Sequence, residues 1–231
     1  MPQPPHSLAR PQAVLFDLDG TLVESLGDLV MATDDTLEAL GHRRAGSDRV
    51  RRWVGRGIDV LMDEALTWAG VSTSTVEARA HALAVFAQHY ERANGRTTRA
   101  LPGAEALLAA LSARGIPLGL VTNKSRRFAL QLLDGLAWTA RFGAIVCGDD
   151  SAAKKPAPDP VLDALRALRV APEHAVMVGD STYDVRAAKA AGVGAIRLAQ
   201  GYGPADRDVQ ADWEDATLEA IHRWLEGNDL R

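Results

Sequence analysis

Four separate stretches of the chain carry residues whose types and spacing suit phosphate chemistry. Asp17 and Asp19 stand one residue apart in FDLDGTL, at the end of the apolar run AVLF. Two carboxylates so close repel each other unless a cation sits between them or one holds a proton. Thr122 and Asn123 end the run IPLGLVT, Lys154 and Lys155 precede Pro156, and Asp180 follows AVMVG with Asp184 one helical turn beyond. Three or four carboxylates beside a lysine would be badly repulsive when empty. They suit a hard divalent cation that takes oxygen ligands and leaves room for a phosphate, and Mg²⁺ is the expected ion.

For these residues to meet, the elements before them must be strands of one sheet. Apolar runs recur at Ala13–Phe16, Ile116–Thr122, Ala144–Gly148, Ala175–Gly179 and Ala195–Ala199, and read as five strands. Helical stretches such as SRRFALQLLDGL and DPVLDALRAL separate the later four, so strand and helix alternate as in a doubly wound parallel α/β sheet of Rossmann type. Such sheets bind ligands beyond the carboxyl ends of their strands, where every residue named above is expected. The rhythm breaks between residues 24 and 99, where LGDLVMATDDTLEAL, IDVLMDEALTWAG and VEARAHALAVFAQHYERA have apolar residues at helical spacing. This interval reads as an inserted α-helical cap. The expected organisation is a tail over 1–10, a core over 11–23 and 100–231, and the cap over 24–99, with a final amphipathic helix closing the chain.

Composition narrows the class of partner. With 231 residues, 47% of them hydrophobic, the chain can bury a large core. A net charge of −4 argues against nucleic acid or anionic membranes and leaves small molecules as the expected partners. Arg43, Arg44, Arg49, Arg51, Arg52 and Arg56 make a locally basic stretch, read mainly as a solvated helix face. The single cysteine, Cys147, lies in the apolar run AIVCG and reads as a buried hydrophobe; its lack of a partner fits a reducing cytoplasm. No stretch is long and apolar enough to span a bilayer. A monomer or homodimer is expected.

The motifs DLDGT, VTNK, KKPAPDP and VGDSTYD, in this order and at these strand ends, resemble the four motifs of the haloacid dehalogenase superfamily. The insertion after the first motif resembles that superfamily's first class of cap. The resemblance implies that Asp17 is a nucleophile forming an aspartyl-phosphate, and that Asp19 is general acid and then general base. It also implies that Asp17, Asp180 and the backbone carbonyl of Asp19 hold the metal, with Asp184 orienting metal waters or Lys155. Thr122 and the N–H of Asn123 would bind phosphoryl oxygens, and Lys155, which directly precedes the proline, would neutralise nucleophile and phosphate.

Within the superfamily, RRWVGRGIDVLMDEAL, FAQHYERANGRTTRALPG and GDDSAAKKPAPDP are similar to bacterial phosphoglycolate phosphatases. The implied activity is Mg²⁺-dependent hydrolysis of 2-phosphoglycolate to glycolate and phosphate. The alternatives are a phosphatase for a sugar phosphate or pyrophosphate, and a non-catalytic binding module of the same fold. Arg56 stands where many of those phosphatases carry Asn, between two glycines in VGRG. A guanidinium is a fork-like partner for a carboxylate, so Arg56, or a neighbouring arginine, is the expected contact for the carboxylate of the substrate when the cap is closed.

Overall fold

The computed structural model describes residues 11–71, 76–203, 206 and 208–227; the expected tail over 1–10 lies outside the described residues. Six strands form one parallel sheet: β1 (Ala13–Phe16), β4 (Leu118–Val121), β5 (Ala144–Val146), β6 (Ala175–Gly179), β7 (Gly194–Leu198) and β8 (Trp213–Ala216). Their spatial order is β5-β4-β1-β6-β7-β8, and every neighbouring pair is parallel. The order runs outward from β1 in one direction and then in the other. The strand order therefore reverses at β1, and the crevice beyond β1, β4 and β6 is where a ligand belongs in such a sheet.

Alternation along β1 decides its placement. Val14 and Phe16 enter one core cluster with α5 (Ala104–Ala113), α6 (Arg126–Gly135) and α9 (Leu218–Gly227). Ala13 and Leu15 enter the cluster on the opposite sheet face, with α7 (Asp159–Leu168) and α8 (Thr182–Ala190). With all four side chains buried, β1 is a central strand that only apolar residues can occupy.

Four helices fill the interval after β1: α1 (Leu26–Ala39), α2 (Ser47–Trp53), α3 (Ile58–Trp68) and α4 (Val76–Ala93). They bury a cluster of their own, including Leu37, Met62, Phe86 and Tyr90, joined by Phe128 and Tyr202 of the sheet layer. The chain enters and leaves these helices through two paired two-residue strands, β2 (Val23–Glu24) and β3 (Arg99–Ala100). Asp28, buried in the first turn of α1, closes this neck. Its carboxylate accepts from the N–H groups of Gly95, Thr97 and Thr98 and from both threonine hydroxyls.

The structure adds one strand to the five expected in the sheet. WEDA, in β8, holds two adjacent acids and gives no apolar run, yet Trp213 and Ala216 are buried against β7. Asp215 takes a left-handed φ of 53°, and the β7–β8 register shifts there.

Candidate active site

Lys155 organises the centre of the crevice. Its ammonium has three protons and finds three acceptors: Asp17 Oδ1 at 2.8 Å, Asp184 Oδ1 at 2.6 Å and the Val121 carbonyl at 2.6 Å. The chain thus ties the ends of β1 and β4 to the start of α8. Burial alone would lower the Lys155 pKa, but Asp17 and Asp184 outweigh it and raise it. Asn123 fixes the lysine's backbone, accepting from its N–H and donating to its carbonyl, both at 2.9 Å. Of the two adjacent lysines, Lys155 enters the site, whereas Lys154 pairs with Asp59 of α3 at 2.8 Å.

Asp180 leaves β6 opposite Asp17. Its Oδ2 accepts from the N–H groups of Tyr202 and Gly203 at 2.8 and 3.0 Å, and its Oδ1 from the Thr21 hydroxyl at 3.3 Å. This approach requires glycine on the facing turn: Gly20 has a φ of +86°, and a Cβ there would stand 2.6 Å from Asp180 Oδ2. Asp184 begins α8 in a capping box, its Oδ2 accepting from the N–H and hydroxyl of Ser181. With its Oδ1 on Lys155, Asp184 has both oxygens engaged and acts as a brace.

Carboxylate oxygens of Asp17, Asp180 and Asp184 lie within 4.8 Å of one another, and all three residues are buried. Burial pushes Asp17 up to about 6, with Lys155 opposing and Asp184 adding to the shift. Burial, then Asp184 and Asp17, pushes Asp180 up to about 7. One lysine does not neutralise three buried carboxylates, and oxygen donors this close suit a hard divalent cation.

Asp19 has partners of its own. Its carboxylate accepts from the Ser25 hydroxyl and from Lys124 Nζ at 3.0 and 3.1 Å. Lys124 also donates to the Tyr90 hydroxyl, so a helix of the inserted layer touches the group that holds Asp19. The Tyr202 hydroxyl accepts from the Ser25 N–H at 2.7 Å and donates to the Val23 carbonyl at 3.2 Å.

One cavity is lined by Asp17, Asp19, Thr122, Asn123, Lys155, Asp180 and Asp184 together, every core residue expected from the sequence. The inserted helices roof it with Leu29, Val54, Gly55, Gly57, Ile58 and Leu61. Asn123 Nδ2 donates to the Gly55 carbonyl at 2.9 Å, and Arg51 donates to the Gly201 carbonyl at 3.3 Å, which docks the roof onto the sheet layer. Arg56 stands elsewhere. Among the described residues it does not line the cavity, and its guanidinium donates to Glu64 at 2.7 Å, each side chain about 40% exposed. Its neighbours Arg43 and Arg49 lie over the Trp68 ring, and Arg44 pairs with Asp35 and Glu38. Cys147 is buried, and burial pushes its thiol up to about 12, so it is an inert hydrophobe.

Lys124, Tyr90, Ser25 and Tyr202 are not among the residues expected from the sequence. Lys124 had a signal, a charge within the strand-end motif VTNK. The others had none, because each acts through a neighbour remote in sequence.

A parallel α/β sheet whose reversal point holds buried carboxylates and a saturated lysine, with inserted helices lining the same cavity, is the arrangement of an α/β enzyme with its site beyond the strand ends. The chain belongs to the haloacid dehalogenase-like hydrolase family, whose model matches residues 14–198. It is 40% identical over 207 residues to a phosphoglycolate phosphatase of Escherichia coli O157:H7, covering 83% of this chain and 82% of that protein. A phosphoglycolate phosphatase of Salmonella typhi is 39% identical over 213 residues, covering 85% and 84%. The crystal structure of a "predicted phosphoglycolate phosphatase" from Haemophilus somnus 129pt superimposes with a TM-score of 0.87 at 28% identity, covering 93% of this chain and 97% of that one. The protein is a hydrolase of phosphoric monoesters. Among the described residues no helix is long and apolar enough to cross a membrane.

Proposed function

We propose that this enzyme hydrolyses 2-phosphoglycolate to glycolate and phosphate, with Mg²⁺ as cofactor and an aspartyl-phosphate on Asp17 as intermediate. The observation that carries this reading is the Asp17–Lys155–Asp184 junction beside Asp180: a buried carboxylate held by a cation and facing a crevice. Asp17 and Asp180 would hold the ion, with Asp184 bracing Lys155. When bound, the ion supplies positive charge that offsets the carboxylates and the phosphate.

In the first displacement an Asp17 oxygen bonds to phosphorus while the ester P–O bond breaks. Asp19 gives its proton to the departing alkoxide. In the second, water gives a proton to Asp19 and bonds to phosphorus as the P–O bond to Asp17 breaks. Lys155 stays against Asp17 and offsets charge on the transferring group, while Thr122 and the N–H of Asn123 meet its oxygens. The inserted helices serve as a cap whose aliphatic roof excludes water and limits the leaving group to a small one. For Arg56 to reach a substrate carboxylate it would have to leave Glu64.

A second reading, a sugar phosphate or pyrophosphate substrate, uses the same core residues. A screen of small phosphate esters with Mg²⁺, ranked by kcat/KM, separates the two. Phosphoglycolate is expected to rank first, and chelation to abolish turnover. A sugar phosphate ranking first would overturn the substrate; absence of phosphate release from phosphoglycolate, other small esters and a generic aryl phosphate would leave a binding module.

A further inference from the structure

In 2-phosphoglycolate one methylene separates the ester oxygen from the carboxylate. Whatever meets that carboxylate must therefore stand beside the group that serves the ester oxygen. The inference below rests on the phosphoglycolate reading, in which that group is Asp19. Among the described residues, two cationic side chains line the cavity, Lys155 and Lys124. All three protons of Lys155 are committed within the protein. Lys124 Nζ lies 3.0 Å from Asp19 Oδ2, with its side chain only 2% exposed.

We propose that Lys124 is the specificity-determining residue for the leaving group: its ammonium receives the substrate carboxylate next to Asp19. The surroundings favour an anion there. Lys124 meets three acceptor atoms, but two of them are the oxygens of one carboxylate, so a substrate carboxylate can take one of those contacts while Asp19 keeps the other. The roof lines the cavity with Leu29, Val54, Ile58 and Leu61 side chains and two glycines, and Lys154, close to Gly57, is paired with Asp59. A cation in so dry a place discriminates strongly, because an ester without the second anion leaves it with less compensation. Tyr90, from α4, holds the ammonium from the roof side, so the preference depends on the inserted helices being docked.

The test compares phosphoglycolate with ethyl phosphate, which keeps the alkyl ester and lacks the carboxylate. Removing Lys124 also disturbs Asp19, so both substrates lose rate; the ratio of their kcat/KM values is the readout. In Lys124→Met the preference for phosphoglycolate is expected to fall by about 10- to 100-fold, the size of a lost charge-assisted hydrogen bond. Lys124→Gln keeps a donor for Asp19 and Tyr90 without the charge, should the methionine variant fold poorly, and is expected to lose preference likewise. Equal proportional losses on both substrates would overturn the proposal and leave Lys124 as a positioning residue for Asp19. A wild-type enzyme that shows no preference for phosphoglycolate over ethyl phosphate would instead overturn the substrate reading, and this inference with it.

Discussion

Asp17 and Asp19 are separated by Leu18 alone and live in different surroundings. Asp17 is held by a lysine that has no proton to spare, while Asp19 is held by a hydroxyl and by a second buried lysine. In the proposed mechanism this division separates nucleophile from proton carrier. Asp19→Asn is expected to slow hydrolysis of alkyl phosphates by roughly two to four orders of magnitude. An aryl phosphate with a good leaving group needs no acid in the first step, so its burst of phenol release should survive while the steady rate falls. Rapid-quench measurement of both esters checks this; an equal loss of the burst for both would count against the acid role. Most of these side chains were legible because each ends an apolar run, and a charge at such a place has few structural reasons to exist. The surroundings of Lys124 and Arg56 were not legible. Their partners, Tyr90 and Asp19 for one and Glu64 for the other, are set by how helices pack rather than by local pattern.

At the level of elements, the neck between sheet and inserted helices depends on Asp28. Burial by itself would push this carboxyl up, but the Thr97 and Thr98 hydroxyls and the N–H groups of Thr97 and Gly95 outweigh it and bring it below its ordinary value. A lowered native pKa binds fewer protons than the unfolded chain, so its contribution is full above about pH 4, the unfolded value, and is lost as pH falls through the native one. Asp28→Asn should therefore flatten the acid limb of the stability–pH curve. Asp28→Ala strands several donors and should cost at least about 1–3 kcal/mol at neutral pH. Urea titrations at several pH values measure both; an unchanged acid limb in Asp28→Asn would refute the assignment. The neck strands β2 and β3 escaped the sequence reading because two residues make no period, and β8 escaped because its polar middle hides two buried ends. The strands β1 and β6 match their apolar runs residue for residue, since a central strand buried on both faces tolerates nothing else.

Across the whole molecule, a charged centre sits where two layers close over it, and burial holds its carboxyls above their ordinary pKa. Asp17 and Asp180 are raised to about 6 and about 7, so the folded protein keeps protons that the unfolded chain releases from about pH 4 upward. Stability from these groups is greatest below that pH, falls as pH rises towards 7, and stays low beyond it. A divalent cation held by these carboxylates, as proposed, would supply the missing charge and compete with those protons. Mg²⁺ should accordingly raise Tm more at about pH 8 than at about pH 5, and calorimetry with and without chelator at both pH values would expose an equal or opposite effect. The account's central claim is that hydrolysis proceeds by two displacements through Asp17. Each in-line displacement inverts phosphorus, so the direct measurement is the configuration of the inorganic thiophosphate released, in isotopically labelled water, from a phosphorothioate analogue of phosphoglycolate made chiral at phosphorus with oxygen isotopes. Net retention is predicted; net inversion would mean that water attacks the substrate directly and would contradict the account.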